Sequence, residues 1–142
     1  MEVRRPLHLL ETLAWTLVQP SLRAAPTNPA TVHQFLGAIG RACSVVNLDP
    51  ANDRTNYPCA IDIRDLVKLE EAMTDDKLGP NGGMLYALEA LESNFDWLEE
   101  GLKELGEDYV LFDCPGQVEL YTHHESLRNI IFKLSKLGYR AR

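Results

Sequence analysis

The sequence has few of the residues that mark secreted, zinc-binding or nucleic-acid-binding proteins. Its three cysteines, Cys43, Cys59 and Cys114, form no C-x-x-C pair, so they indicate neither a disulfide framework nor a zinc site. Basic residues number 14 against 21 acidic ones, and the formal net charge of −7 argues against nucleic-acid or anionic-membrane partners. No apolar run is long enough to cross a bilayer. We therefore expect a protein of a reducing compartment, the cytoplasm, with no nucleic acid and no membrane among its partners.

Residues 1–33 differ from the rest of the chain. An early arginine pair and an apolar stretch over residues 7–18 are compatible with a signal or transit peptide, an amphipathic helix or an unstructured leader. Residues 21–31 contain two prolines and no periodicity, which is typical of a linker. We therefore assign residues 1–33 to a poorly ordered leader and linker, and residues 34–142 to the folded domain.

The folded part alternates between predicted strands and helices. Apolar runs over 43–48 and 109–112 predict buried parallel strands, and 61–73, 84–105 and 125–137 have helical periodicity, while a further helix ends near Gly40. The stripe over 84–105 has apolar residues at alternating spacings of four and three, which fits either packing on the sheet or a dimer seam. This alternation predicts a three-layer α/β domain with a mostly parallel sheet.

Residues 109–117, YVLFDCPGQ, carry the clearest chemical signal. A buried strand ends in Asp113, and the carboxyl ends of parallel strands are where α/β folds bind ligands, so this carboxylate can hold Mg²⁺ through water. Gly116 has no side chain and can bring its backbone N–H close to a phosphate. The amide of Gln117 both donates and accepts, so it can orient a water. An ordinary Asp-Pro-Gly turn is the structural alternative.

Two other stretches add candidate residues. Asp49 ends the first predicted strand, where its carboxylate can polarise water or support Mg²⁺, or can serve only as a turn residue. Residues 79–83, GPNGG, precede a helix start, which is a natural anion site. There Asn81 can donate to a phosphate, or Asn81 or Gly82 can cap the helix in a tight turn.

Three motifs in order, VVNLDPAND, GPNGG and LFDCPGQVELYTHH, make the chain from residue 34 onwards resemble the GPN-loop GTPases. That family takes its name from the string found here as Gly79, Pro80 and Asn81. The amino-acid sequences of the first and third motifs most resemble the second paralogue of the eukaryotic family.

The resemblance implies a GTP hydrolase with GTP and Mg²⁺ as cofactors. Residues matching Asp49 and Gln117 help to place the hydrolytic water, and the residue matching Asp113 serves Mg²⁺. The residue matching Asn81, with Gly79, Pro80 and Gly116 beside the same site, reaches the phosphate region of a site formed with a neighbouring subunit.

The resemblance also implies partners and a location. It predicts a homodimer, or a heterodimer with another GPN-loop GTPase. RNA polymerase II subunits or assembly factors are the expected clients, because the family is associated with assembly and nuclear import of that enzyme. The expected location is the cytoplasm, with shuttling to the nucleus.

The chain departs from the family pattern in its phosphate loop and its guanine-reading motif. Where the family has G-x-x-x-x-G-K-[ST], residues 24–31 read AAPTNPAT, and no lysine occurs between Met1 and Asp53. No [NT]-K-x-D motif follows. We therefore expect a partial P-loop NTPase-like domain, truncated at both ends and lacking its first strand. Two alternatives to the enzyme remain: a catalytically silent fragment or interaction module from an alternative transcript, and a helical adaptor.

Overall fold

Five strands form one parallel sheet in the computed structural model, which describes residues 8–10, 28–68 and 79–141. The strands are β1 (His8–Leu10), β2 (Cys43–Asn47), β3 (Cys59–Asp62), β4 (Tyr109–Asp113) and β5 (Tyr139–Ala141), in the spatial order β3-β2-β4-β1-β5. Every pairing between them is parallel. The carboxyl ends of β2 and β4, which are neighbours, therefore lie at the same edge of the sheet.

Helices cover both faces of the sheet. They are α1 (Pro29–Ala38), α2 (Ile63–Leu66), α3 (Pro80–Ser93), α4 (Phe95–Glu104), α5 (Val118–Thr122) and α6 (Glu125–Lys136). Val45 and Leu111 pack with Ala30 of α1 on one face. Val46 and Phe112, their neighbours in sequence, pack with α3, α4 and α6 on the other. Because side chains alternate along a strand, two apolar faces give continuous apolar runs, and the predicted three-layer α/β architecture is confirmed.

The apolar stripe over 84–105 belongs to two helices rather than one. The break falls at Asn94, whose side-chain Nδ2 and backbone N–H both donate to the Ala90 carbonyl, at 2.8 and 3.0 Å. Asparagine competes with the helix in this way and favours its ends. Six of the seven stripe positions are nevertheless buried in the core and the seventh is partly buried: Met84, Leu88, Leu91, Phe95, Leu98 and Leu102, then Leu105. This supports packing on the sheet over a dimer seam.

The helix predicted over 61–73 is wrong in its first residues. Cys59–Asp62 is strand β3, with Ile61 opposite Val46, and the helix that follows has only four residues, Ile63–Leu66. Ile63 and Leu66 fit a helical pattern, whereas the conformation of Ile61 is decided by its pairing with Val46 at the sheet edge. The Asp62 side chain caps this helix by accepting from Arg64 N at 2.9 Å. Residues 69–73 lie outside the described residues.

The expectation that the first strand is missing is also wrong. His8–Leu10 forms β1, which lies between β4 and β5 and places Leu9 opposite Leu111. The apolar stretch over residues 7–18, which contains them, also fits a helical face, and for this reason the sequence pattern predicts a leader there. Helix α1 begins at Pro29, inside the stretch assigned to the linker, and residues 11–27 lie outside the described residues.

Three glycines follow helix ends, and the helix end near Gly40 is as predicted. Gly40, Gly106 and Gly138 have φ values of 74°, 60° and 99°, the left-handed conformation that favours glycine after a helix. Gly138 leads directly into β5, which the sequence did not predict. Among the described residues, no helix is both long and apolar enough to cross a bilayer.

Candidate functional site

Asp49 and Asp113 come together at one edge of the sheet. Asn47, the last residue of β2, lies opposite Asp113, the last residue of β4. The pairing continues for one more bond, from Leu48 N to the Asp113 carbonyl oxygen at 2.7 Å. The two apolar strands therefore deliver both predicted carboxylates to the carboxyl edge, where α/β folds bind ligands.

The Asp113 carboxylate is buried, and the hydrogen-bond donors that it has among residues 28–68 and 79–141 are neutral. Its side chain is 7% exposed, and its Oδ2 accepts from Tyr57 Oη at 2.5 Å and from Asn52 Nδ2 at 3.1 Å. Burial raises the pKa of Asp113, and the hydrogen bonds from Tyr57 and Asn52 act in the opposite direction. No ion pair among the described residues involves Asp113, so its charge is not balanced by a cation there.

Asp49 is held by a turn that a buried asparagine supports. Its Oδ1 accepts from Ala51 N at 2.9 Å, and its backbone N–H donates to Asn47 Oδ1 at 3.1 Å. Asn47 is fully buried and also donates to Asp62 Oδ1 at 3.1 Å. Burial raises the pKa of Asp49, and the negative charge of Asp113 raises it further. Asp49 and Asp113 thus follow the ends of neighbouring strands, and the charge of Asp113 acts on Asp49.

This donor set fits Mg²⁺. Magnesium takes oxygen ligands and binds through one or two carboxylates plus the phosphates of a substrate, rather than in an all-protein cage. Asp113 and Asp49 supply such oxygens, and no group of three or more His, Cys, Asp or Glu side chains suited to a metal occurs in the described part of the chain. The residues suit a cation that is shared with a bound phosphate.

A cleft of about 220 Å³ opens beside Asp113. Its described lining comprises Asn28, Pro29, Asn52, Arg54, Asn56, Tyr57 and Asp113. Pockets that enclose drug-sized ligands have volumes of roughly 300–1,000 Å³, so this cleft suits a phosphate group better than a whole nucleotide.

The start of α1 borders the cleft but does not form a phosphate cradle. Pro29, its first residue, has no N–H, and the N–H of Ala30 donates to Asn28 Oδ1 at 2.9 Å. The N–H groups of Thr31 and Val32 both donate to the Asn28 carbonyl oxygen, at 3.0 and 3.1 Å. These first-turn donors, which bind anions at other helix starts, already have partners within the chain.

The GPN string lies at the start of α3. Gly79 is the N-cap residue and Pro80 the first helical residue, so the expectation that Asn81 or Gly82 caps the helix is wrong. Proline has a φ suited to the first helical position and needs no N–H there, which places the first helical residue at Pro80. Asn81 is exposed, and no hydrogen bond among the described residues joins it to Asp49 or Asp113.

Gly116 and Gln117 lie in the turn after β4, and both are exposed. Gln117 is the N-cap residue of α5, although its side chain makes no cap hydrogen bond. The preceding residue, Pro115, is held through its carbonyl oxygen, which accepts from Tyr121 Oη at 2.8 Å. Gln117 thus lies four residues beyond Asp113, on the side of the turn that faces solvent.

Sequence reasoning gave no role to Asn52, Arg54 and Tyr57, which lie in the loop between β2 and β3. Tyr57 is only 9% exposed, and its bond to Asp113 spans 56 positions in the sequence. A large aromatic residue in an otherwise polar loop is the one local signal of burial. Nothing in the local pattern identifies the carboxylate that it contacts.

Comparison with known proteins identifies relatives of this chain. The family model described as "Conserved hypothetical ATP binding protein" matches residues 27–141. GPN-loop GTPase 2 of Danio rerio is 56% identical over 109 residues, which are 77% of this chain and 35% of that protein. GPN-loop GTPase 2 of Saccharomyces cerevisiae is 56% identical over 106 residues, which are 72% of this chain and 30% of that protein.

A solved structure agrees with the fold. The crystal structure of a GTPase from Pyrococcus abyssi in its apo form superposes with a TM-score of 0.64 at 26% identity, over 89% of this chain and 48% of that one. The chain thus spans about a third of the length of the curated relatives described above, at 35% and 30%.

Proposed function

The chain belongs to the GPN-loop GTPase family, and we propose that it binds GTP with Mg²⁺ at the edge formed by Asp49 and Asp113 and hydrolyses it. The observation that carries this proposal is the adjacency of these two carboxylates at the carboxyl ends of β2 and β4. Of these two residues, Asp113 is the one that is almost fully buried and that lines the cleft directly.

The proposed roles combine the position of each residue with the family resemblance. Asp113 would hold Mg²⁺, which when bound neutralises charge on the phosphates of the ligand. Asp49, whose pKa is raised by burial, is suited to accept a proton from an attacking water. Gln117 is exposed in the turn after β4 and can orient that water. Asn81, which no hydrogen bond among the described residues joins to Asp49 or Asp113, would act from a neighbouring subunit.

A second candidate function is a chain that keeps the fold but binds nucleotide weakly or not at all. Two observations favour it. No lysine occurs between Met1 and Asp53, and the first-turn donors of α1 are already satisfied within the chain. Lysine and free backbone N–H groups are what P-loop proteins use to hold the β- and γ-phosphates.

Fluorescence titration of the full chain with a fluorescent GTP analogue and Mg²⁺ decides between these functions. We expect saturable, Mg²⁺-dependent binding that is lost in Asp113→Asn and kept in Asp96→Asn, an exposed aspartate of α4 that serves as the matched control. We also expect Gln117→Ala to slow phosphate release more than it weakens binding. Absence of Mg²⁺-dependent binding in the unaltered chain would establish the silent alternative.

The family resemblance supports three broader proposals. The chain works as a homodimer or as a heterodimer with another GPN-loop GTPase, its clients are RNA polymerase II subunits or assembly factors, and it resides in the cytoplasm with shuttling to the nucleus. Affinity purification of the tagged chain from cells tests them together, and recovery of neither a GPN-loop GTPase nor a polymerase subunit would contradict them.

A further inference from the structure

We infer that Arg54 holds the terminal phosphate of the ligand in the cleft beside Asp113, in the role that a lysine of the phosphate loop has in P-loop proteins. This inference rests on the proposed function, since it names the cation of the same site. Of the described residues that line the cleft, Arg54 alone carries a positive charge. The other polar residues of the lining, apart from Asp113, are neutral.

The loop that carries Arg54 is fixed to the site at both ends. Asn52 and Tyr57, two residues before it and three residues after it, both donate to Asp113 Oδ2, at 3.1 and 2.5 Å. Asn52 Nδ2 also donates to Tyr57 Oη at 3.3 Å, which closes the loop on itself. These bonds hold the backbone around residue 54 beside the carboxylate, so Arg54 borders the cleft because of the fold.

Arg54 is available to a ligand. None of the ion pairs among the described residues involves it, whereas Arg64 pairs with Asp62 and Arg128 with Glu125. A guanidinium binds phosphate oxygens through two parallel hydrogen bonds, which gives both attraction and orientation. An unpaired arginine beside a buried carboxylate therefore presents one group for a phosphate and one for its divalent cation.

The rest of the cleft offers no other strong phosphate ligand among the described residues. The N–H groups of the first turn of α1 are used within the chain, and the lining asparagines supply only neutral donors. Hydrogen bonds with a charged partner are roughly twice as strong as neutral ones. Arg54 should therefore contribute more to phosphate affinity than any other described side chain of the lining.

Isothermal titration of the full chain with magnesium pyrophosphate, and fluorescence titration with a fluorescent GTP analogue, test this inference. The variants are Arg54→Ala, Arg54→Lys and the control Arg128→Ala, with folding checked by thermal melting. We expect Arg54→Ala to weaken binding of both ligands about tenfold or more, the loss expected for a charged hydrogen-bond partner. Arg54→Lys should weaken it less, and Arg128→Ala by less than twofold. Binding in the alanine variant should also depend less steeply on salt.

The outcomes distinguish failure of the Arg54 role from failure of the proposed GTP binding. If the unaltered chain binds both ligands and Arg54→Ala binds them within twofold of it, the role of Arg54 is refuted and the proposed function stands. If the chain binds pyrophosphate through Arg54 but not the GTP analogue, the inference holds and GTP binding fails. If the chain binds neither ligand, both are refuted.

Discussion

Replacing Tyr57 with phenylalanine removes one hydroxyl group and leaves the aromatic ring in place. The hydroxyl donates to Asp113 Oδ2 at 2.5 Å, and the two residues are 9% and 7% exposed, so water cannot readily replace the lost donor. Burial raises the pKa of Tyr57, and the bond to Asp113 raises it further, so the phenol keeps its proton at neutral pH. A hydrogen bond to a charged group contributes about 1.5–3 kcal/mol, and we expect Tyr57→Phe to lower the free energy of unfolding by that amount.

A double-mutant cycle isolates the contribution of the charge. In an Asp113→Asn background the acceptor is neutral, and a neutral hydrogen bond contributes about 0.5–1.5 kcal/mol. Tyr57→Phe should therefore cost about 1 kcal/mol less in that background than in the original chain. Tyr86→Phe is the matched control, because Tyr86 is 43% exposed and its hydroxyl makes no hydrogen bond among the described residues.

The free energies come from urea denaturation of the full chain at pH 7, followed by circular dichroism and extrapolated linearly to water. The control should change stability by less than about 0.5 kcal/mol, as exposed substitutions do. Equal costs for Tyr57→Phe and Tyr86→Phe would refute the claim that Tyr57 stabilises a buried charge. Equal costs of Tyr57→Phe in the two Asp113 backgrounds would refute the contribution of the charge itself.

Two further predictions concern the core and the edge of the sheet. Leu98→Ala should cost about 2–5 kcal/mol, because Leu98 is fully buried, and should leave the mass measured by light scattering unchanged; loss of a dimer with unchanged stability would instead show a seam. Burial alone would raise the pKa of Asp62, but hydrogen bonds from Arg64 and Asn47 lower it below its ordinary value of 3.8. The hydrogen bonds to the Asp62 carboxylate therefore stabilise the fold at pH values above 3.8. This stabilisation is lost as the pH falls through the pKa that Asp62 has in the folded state. Asp62→Asn should therefore destabilise the chain at pH 7 and less at pH 3 in urea melts, and an equal effect at both would refute the assignment.

The sequence was sufficient to predict the central strands and the long helices. β2 and β4 are buried on both faces, so their sequences are continuous apolar runs. The apolar positions of α3, α4 and α6 keep helical periodicity over many residues. β1 and β5 have three residues each and β3 has four, which is too short for a periodic signal. Their pairing with strands distant in sequence decides their conformation, and a local pattern does not contain that information.

The same limit applies to the site. The meeting of Asp49 and Asp113 follows from two strand ends in one parallel sheet, which the sequence does indicate. The contacts of Asn52 and Tyr57 with Asp113 join residues 61 and 56 positions apart through a loop without regular structure. A loop conformation of this kind depends on its tertiary partners, so Arg54 could not be placed beside the cleft before the fold was known.

The edge of the sheet that carries Asp49 and Asp113 does not depend on a phosphate loop for its structure. Asp113 is placed by the pairing of β4 with β2 and is held by the loop over residues 52–57. The sequence DCPGQ over residues 113–117 therefore indicates the family and the architecture, whereas nucleotide binding would depend on the cations that reach the cleft. Three carboxylates, those of Asp49, Asp53 and Asp113, outnumber the one guanidinium of Arg54 and give the site a net negative charge, so a free phosphate anion would be repelled from it. A phosphate ligand must therefore arrive with its divalent cation, so binding of pyrophosphate to this chain should require Mg²⁺.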